Sequence, residues 1–143
     1  MKITKSSLLL FIILMTSFTI SCKGNREKAI QYNDTIVDEL NKLSTLEDSI
    51  TKSEGAEADK AIEEFKKAVP EARKKIESIG KFKDSESLEK AALDLCDFYQ
   101  GVIDGKYTDK TPDEINTKEA ELYAALKQAQ KDFAERFKIE IQK

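Results

Sequence analysis

The sequence predicts an all-α protein: an antiparallel up-down four-helix bundle behind an export signal. Three observations carry this expectation. Charged residues make up 36% of the 143-residue chain while Gly (5) and Pro (2) are scarce, a composition that suits long amphipathic helices better than turn-rich sheets. Apolar residues recur at spacings of three, four and seven in four separate stretches, which places them on one face of a helix. Except for Gly105–Lys110 the breaks between stretches are short, so consecutive helices should run antiparallel.

Residues 1–21 form the signal. Met1–Ser7 carries Lys2 and Lys5, and Leu8–Ile20 is an uncharged, mostly apolar run. That run is shorter than the roughly 20 residues a membrane-spanning helix needs and has the length of a signal-peptide apolar region. It ends in Thr19-Ile20-Ser21-Cys22, which resembles a lipobox, where bacterial lipoproteins are cleaved before a Cys that is acylated. Ser21 supplies the small residue before the cleavage point and Cys22 the thiol; Thr19 departs from the usual Leu or Val. The resemblance implies cleavage between Ser21 and Cys22, lipidation of Cys22 and residence in the cell envelope. Ordinary cleavage after Ser21 is the alternative, with Cys22 then free to pair with Cys96. The organisation expected is 1–21 signal, 22–27 lipidated tether and 28–143 helical bundle domain.

The first helix is expected over Glu27–Lys52. Ala29, Ile36, Leu43 and Ile50 are spaced by sevens, with Ile30, Val37 and Leu40 beside them. Asn33 falls on the same stripe, where a buried amide must find a partner. The second helix covers Ala56–Ile79, through Ala58, Ile62, Phe65, Val69, Ala72 and Ile76. Pro70 lies inside it and predicts a kink or a short break, and Gly80 is placed to end it. The third covers Glu86–Asp104, with Ser85 as N-cap and a stripe of Leu88, Ala92, Leu95, Tyr99 and Val102. The fourth opens on Thr111-Pro112-Asp113-Glu114, a capping box with Pro at the first helical position. It is expected to reach about Ile141 through Ile115, Leu122, Leu126, Ala129, Phe133 and Phe137.

Several chemistries are excluded by what is missing. The chain has no His, which removes Ser-His-Asp and Cys-His catalysis and the Glu-x-x-His pairs of di-iron bundles. No acidic run has the alternating oxygen ligands and Gly of a calcium loop. Neither a metal nor a cofactor is expected, and no enzymatic activity. The net charge is −3; Lys2 and Lys5 leave with the signal, making the mature part more acidic and a poor match for nucleic acid.

Charge is unevenly distributed. Asp34–Glu64 holds ten acids and three bases, and Lys66–Lys83 seven bases and two acids. Two readings stand: adjacent helices neutralise each other, or the basic segment faces an anionic partner. Glu63–Lys67, Glu71–Lys75, Glu86–Lys90, Asp38–Lys42 and Asp48–Lys52 have the spacing and order of favourable helical ion pairs. Cys96 reads as a small buried hydrophobe. Tyr107 is the aromatic expected at the surface, in the Gly105–Lys110 loop beside Lys106 and Lys110, and these three form the candidate binding surface.

Tyr32-Asn33-Asp34-Thr35-Ile36-Val37, together with the signal and the chain length, resembles the opening of a group of helical surface lipoproteins of spirochaetes and Bacteroidetes. The resemblance implies a surface or envelope location and no assigned activity; the location expected for the chain is the outer membrane, on the surface or the periplasmic face. The expected function is a membrane-anchored, non-enzymatic module held to lipid through Cys22, whose bundle binds another macromolecule, a protein partner among the candidates, or simply decorates the membrane. The alternative is a periplasm-facing scaffold or assembly factor of an envelope complex.

Overall fold

Heptad-spaced apolar residues can leave water only if neighbouring helices cover them, and the fold follows from that requirement. The computed structural model describes residues 23–139; the signal, Ser21 and Cys22 lie outside them. Four helices follow in order: α1 (Lys23–Lys52), α2 (Ala56–Ser78), α3 (Glu86–Ile103) and α4 (Pro112–Phe137). Successive helices pack extensively, while α1 and α4 approach each other more sparingly. The topology is up-down. Tyr32, early in α1, packs against Phe133, late in α4, and both rings meet Phe82 of the α2–α3 turn. At the other end Tyr99, late in α3, reaches Glu47, late in α1, and Glu119, early in α4. Among the described residues, no helix is long and apolar enough to cross a membrane.

The core draws on all four expected stripes, but Ile62 of α2 lies outside it, Ile115, Leu122, Leu126 and Phe137 of α4 are only half-buried, and Tyr123 and Ala134, not expected, are buried. Ala29, Ile36, Leu40 and Leu43 of α1 meet Phe65, Val69, Ala72 and Ile76 of α2. Leu88, Ala92, Leu95 and Cys96 of α3 and Phe133 and Ala134 of α4 complete it. Asn33 is fully buried and accepts a hydrogen bond on Oδ1 from Nε2 of Gln130, also buried, at 2.9 Å.

The differences from expectation are local. α1 begins at Lys23 rather than Glu27, so residues 23–27, expected as a tether, are helical. α2 runs through Pro70 unbroken, with that side chain exposed on the solvent face. Gly80 follows the helix at φ +82°, as a C-terminal glycine should. Ser85 precedes α3 and its carbonyl accepts the Glu89 N–H at 2.9 Å, but its side chain makes no cap bond; the hydroxyl donates to Phe82 O at 2.8 Å. The capping box is complete: Glu114 N–H donates to Thr111 Oγ1 at 3.2 Å, and Thr111 N–H to Glu114 Oε2 at 2.8 Å. α4 stops at Phe137, four residues before Ile141, because Lys138 turns left-handed (φ 51°). Ile139 then folds back into the core and donates its N–H to Ala134 O at 2.8 Å, as in a Schellman closure.

Of the expected ion pairs, Asp48–Lys52 forms at 2.8 Å. Lys42 turns instead to Glu39 at 2.6 Å, and Glu63 takes Lys66 rather than Lys67 at 2.7 Å; partners three and four residues away are about equally near on a helix. The basic segment reaches a neighbouring helix through Arg73, whose Nε donates to Asp97 at 2.7 Å. That partner lies on α3, not on the acidic α1.

Candidate functional site

Glu47 occupies a position that the heptad pattern assigns to the core, in the series Leu40, Leu43, Glu47, Ile50. Glu119 does the same on α4, between Ile115 and Leu122. The up-down arrangement turns the end of α1 toward the start of α4, and Tyr99 of α3 joins the two. Its hydroxyl lies 2.6 Å from Glu119 Oε1, 3.0 Å from Glu47 Oε2 and 2.9 Å from the Tyr123 hydroxyl. Tyr99 itself is 3% exposed.

A proton count orders this cluster. Tyr99 has one proton, and the shortest contact places it toward the Glu119 carboxylate. Tyr123 then donates to the Tyr99 oxygen. The Tyr99 hydroxyl also lies within hydrogen-bond reach of Glu47 Oε2, and with its proton turned to Glu119 a protonated Glu47 can donate in its place. Its environment favours that state. Burial, and secondarily the facing Glu119, push the Glu47 carboxyl up from 4.5 to about 8. Burial also raises the Tyr99 and Tyr123 hydroxyls above their usual range. Glu47 is thus held in its protonated form well above the usual carboxylate range, with the Glu119 carboxyl facing it.

A cavity of about 240 Å³ opens beside the cluster. Glu47 and Glu119 form its polar wall. Ile50, Phe65, Phe98, Val102, Tyr107 and Ile115 make the rest largely apolar, with Thr108, Lys110, Pro112 and Asn116 also lining it. The aromatic rings brace one another: Phe65 stands edge-on to Tyr99 at 5.1 Å, and Phe98 contacts Tyr99 at 5.7 Å and Tyr107 at 5.4 Å.

Tyr107 does not project from its loop as expected. It is half-buried, because α3 carries no side chain at Gly101: a Cβ there would stand 2.9 Å from the Tyr107 ring. Lys110 lines the cavity and pairs with Asp109 at 3.5 Å, whereas Lys106 does not line it and lies 3.9 Å from Asp104. The expected surface trio is therefore divided, with Tyr107 and Lys110 at the cavity and Lys106 outside it. Cys96 is a free, fully buried thiol pushed up to about 12 by burial, inert as a nucleophile. Among the described residues, no group of three or more His, Cys, Asp or Glu could hold a metal ion.

Glu47, Glu119, Tyr99 and Tyr123 were not marked as a site by sequence reasoning. The available signal was an acid in the core register of each of two helices. Which helices would face each other at that height is a property of the bundle. The chain matches no protein-family model, no curated protein and no solved structure.

Proposed function

We propose that this chain is a lipid-anchored lipoprotein of a bacterial envelope, exported by residues 1–21 and acylated on Cys22. Its helical domain is a non-enzymatic binding module whose ligand site is the cavity beside Glu47 and Glu119. The cavity is the observation that carries the binding reading. An apolar recess with a few convergent polar groups is the usual form of a small-molecule site. At about 240 Å³ it lies just below the roughly 300–1,000 Å³ of drug-sized sites, which suits a smaller molecule. Glu47 stands 24 residues beyond the start of α1 at Lys23, roughly 36 Å along the helix. A lipid on Cys22 would therefore leave the cavity at the end facing away from the bilayer.

Two experiments test the two halves. In cells, Cys22→Ala should abolish lipid labelling and leave the precursor uncleaved; a variant still processed after Ser21 and released would overturn the anchor. For the cavity, 2-phenylethanol titrated into the mature chain should shift the NMR signals of Val102 and Ile115. Val102→Trp, which fills the space, should remove the response. No shift in the wild type with 2-phenylethanol or with its amine analogue, 2-phenylethylamine, would refute the binding site.

A periplasm-facing scaffold remains the second reading, favoured by one observation. Lys74, Lys75, Lys81 and Lys83 are exposed and have no ion-pair partner among the described residues, leaving them available to an anionic partner. Digestion of the protein by protease added to intact cells would favour the surface module; protection would favour the scaffold.

A further inference from the structure

We propose that the cavity takes a small organic ammonium ion with an apolar body, the cationic head held between Glu47 and Glu119 and the body among Phe65, Phe98 and Tyr107. This rests on the binding reading above and names the ligand class for the same cavity.

The composition of the wall favours a cation. Glu47 is faced by Glu119 and Tyr123 from α4 and by Tyr99 from α3, with Asp48 adjacent on its own helix; α2 contributes Phe65 to the cavity. The cation that lines the space, Lys110, belongs to the loop before α4 and is paired with Asp109. An anion would meet two carboxyls. A neutral apolar molecule would fill the recess but leave their hydrogen-bonding capacity unused. An ammonium head supplies up to three N–H donors, and the neighbouring aromatic faces attract the same charge.

The protonation state supplies the means of exchange. In the empty site Glu47 holds a proton beside the Glu119 carboxyl. As the ammonium enters, the Glu47 O–H bond breaks and its proton passes to the buffer. The ligand N–H groups then donate to both carboxylates. One positive charge leaves and one enters, so the net charge of the buried site stays the same and no new uncompensated ion is created. With Glu47 titrating at about 8, affinity should rise with pH up to that value and level off above it.

Calorimetry on the mature chain tests this with 2-phenylethylamine and its neutral analogue 2-phenylethanol, in buffers of different ionisation enthalpy. The amine should bind at least tenfold more tightly than the alcohol at pH 7. It should release close to one proton per molecule at pH 6.5, and its affinity should rise by up to tenfold per pH unit between 6 and 8. Glu47→Gln should remove the proton release and the pH slope. Should that variant not fold, Glu119→Gln should show the loss of preference for the amine. Binding of both probes with equal affinity and no proton release would overturn the ammonium assignment while leaving the cavity a binding site. Proton release persisting in a folded Glu47→Gln variant would also overturn it. Binding of neither probe would overturn both readings.

Discussion

Gln130 and Asn33, 97 positions apart, share a hydrogen bond of 2.9 Å inside the bundle. It crosses the seam where α1 and α4 approach sparingly, near the end where α1 begins. Asn33 Nδ2 also donates to Asp34 Oδ1 at 3.3 Å. The two amides are 0% and 6% exposed, so each serves as the other's substitute for water.

Breaking this pair from one side should cost more than removing it. Asn33→Ala leaves the Gln130 amide buried without its acceptor, a loss of about 1–3 kcal/mol. Asn33→Leu combined with Gln130→Leu should recover much of that. Urea denaturation of both singles and the double would reveal a non-additive cycle; strictly additive losses would mean the amides act independently.

Stability should fall as pH rises through the Glu47 titration. The folded-state value is raised from 4.5 to about 8, so the folded chain binds more protons than the unfolded chain between those limits. The contribution of protonated Glu47 is fully present below 4.5 and lost as pH passes 8. Glu63 and Glu114 shift the opposite way, lowered by Lys66 and by the Thr111 bonds respectively. Their contribution is present above 4.5 and lost as pH falls into acid. Thermal unfolding of Glu47→Gln against wild type isolates the first effect: the variant should melt at nearly the same temperature at pH 5 and 8.5, while the wild type loses stability at the higher pH.

Thr111→Ala should remove the side-chain half of the capping box, the acceptor of the Glu114 N–H, at about 1 kcal/mol, while the backbone N–H of residue 111 can still donate to Glu114. The same residue ends the loop that carries Tyr107, so amide exchange should accelerate from Tyr107 to Ile115. Acceleration spread evenly through α4 would argue against a local cap.

Leu95 is completely buried, so Leu95→Ala should cost about 2–5 kcal/mol through lost burial and a cavity. Chemical denaturation would measure it, and a loss within experimental error would mean that the α3 stripe collapses around the gap.

Were Cys22 lipidated as proposed, the helical start of α1 at Lys23 would set the orientation on the membrane. With α1 starting at Lys23, a lipid on Cys22 would hold the beginning of α1 against the headgroups. The α2–α3 turn, with Lys81, Phe82 and Lys83, shares that end because Phe82 packs on Tyr32 at 5.6 Å. Spin-labelled lipid should relax a probe at Lys83 more strongly than one at Tyr107. The reverse order would require a different anchoring geometry.

The four helices were legible because their causes are local. Apolar periods of three and four, Gly80, and the Thr111–Glu114 box act within one or two turns, and each can be read where it stands. Asn33 was legible for the same reason, as a polar residue in an apolar register. Its partner Gln130 obeys an identical pattern on α4, but nothing local pairs the two.

What the sequence by itself determined is the all-α class, the order of the helices, most of the core and the exclusion of histidine-dependent chemistry. Only the tertiary structure decided where distant side chains meet. Glu47 and Glu119 lie 52 and 20 positions from the Tyr99 that joins them, and the Glu47 carboxyl is pushed up because the bundle's height register covers it and sets it facing Glu119. Tyr107 turns inward because Gly101 leaves room for its ring. α4 ends at Phe137 without a glycine because burying Ile139 compensates for the left-handed turn at Lys138. Periodicity decides which face of a helix is covered; which residues cover it, and what charge they can hold there, depends on packing between elements far apart in the chain.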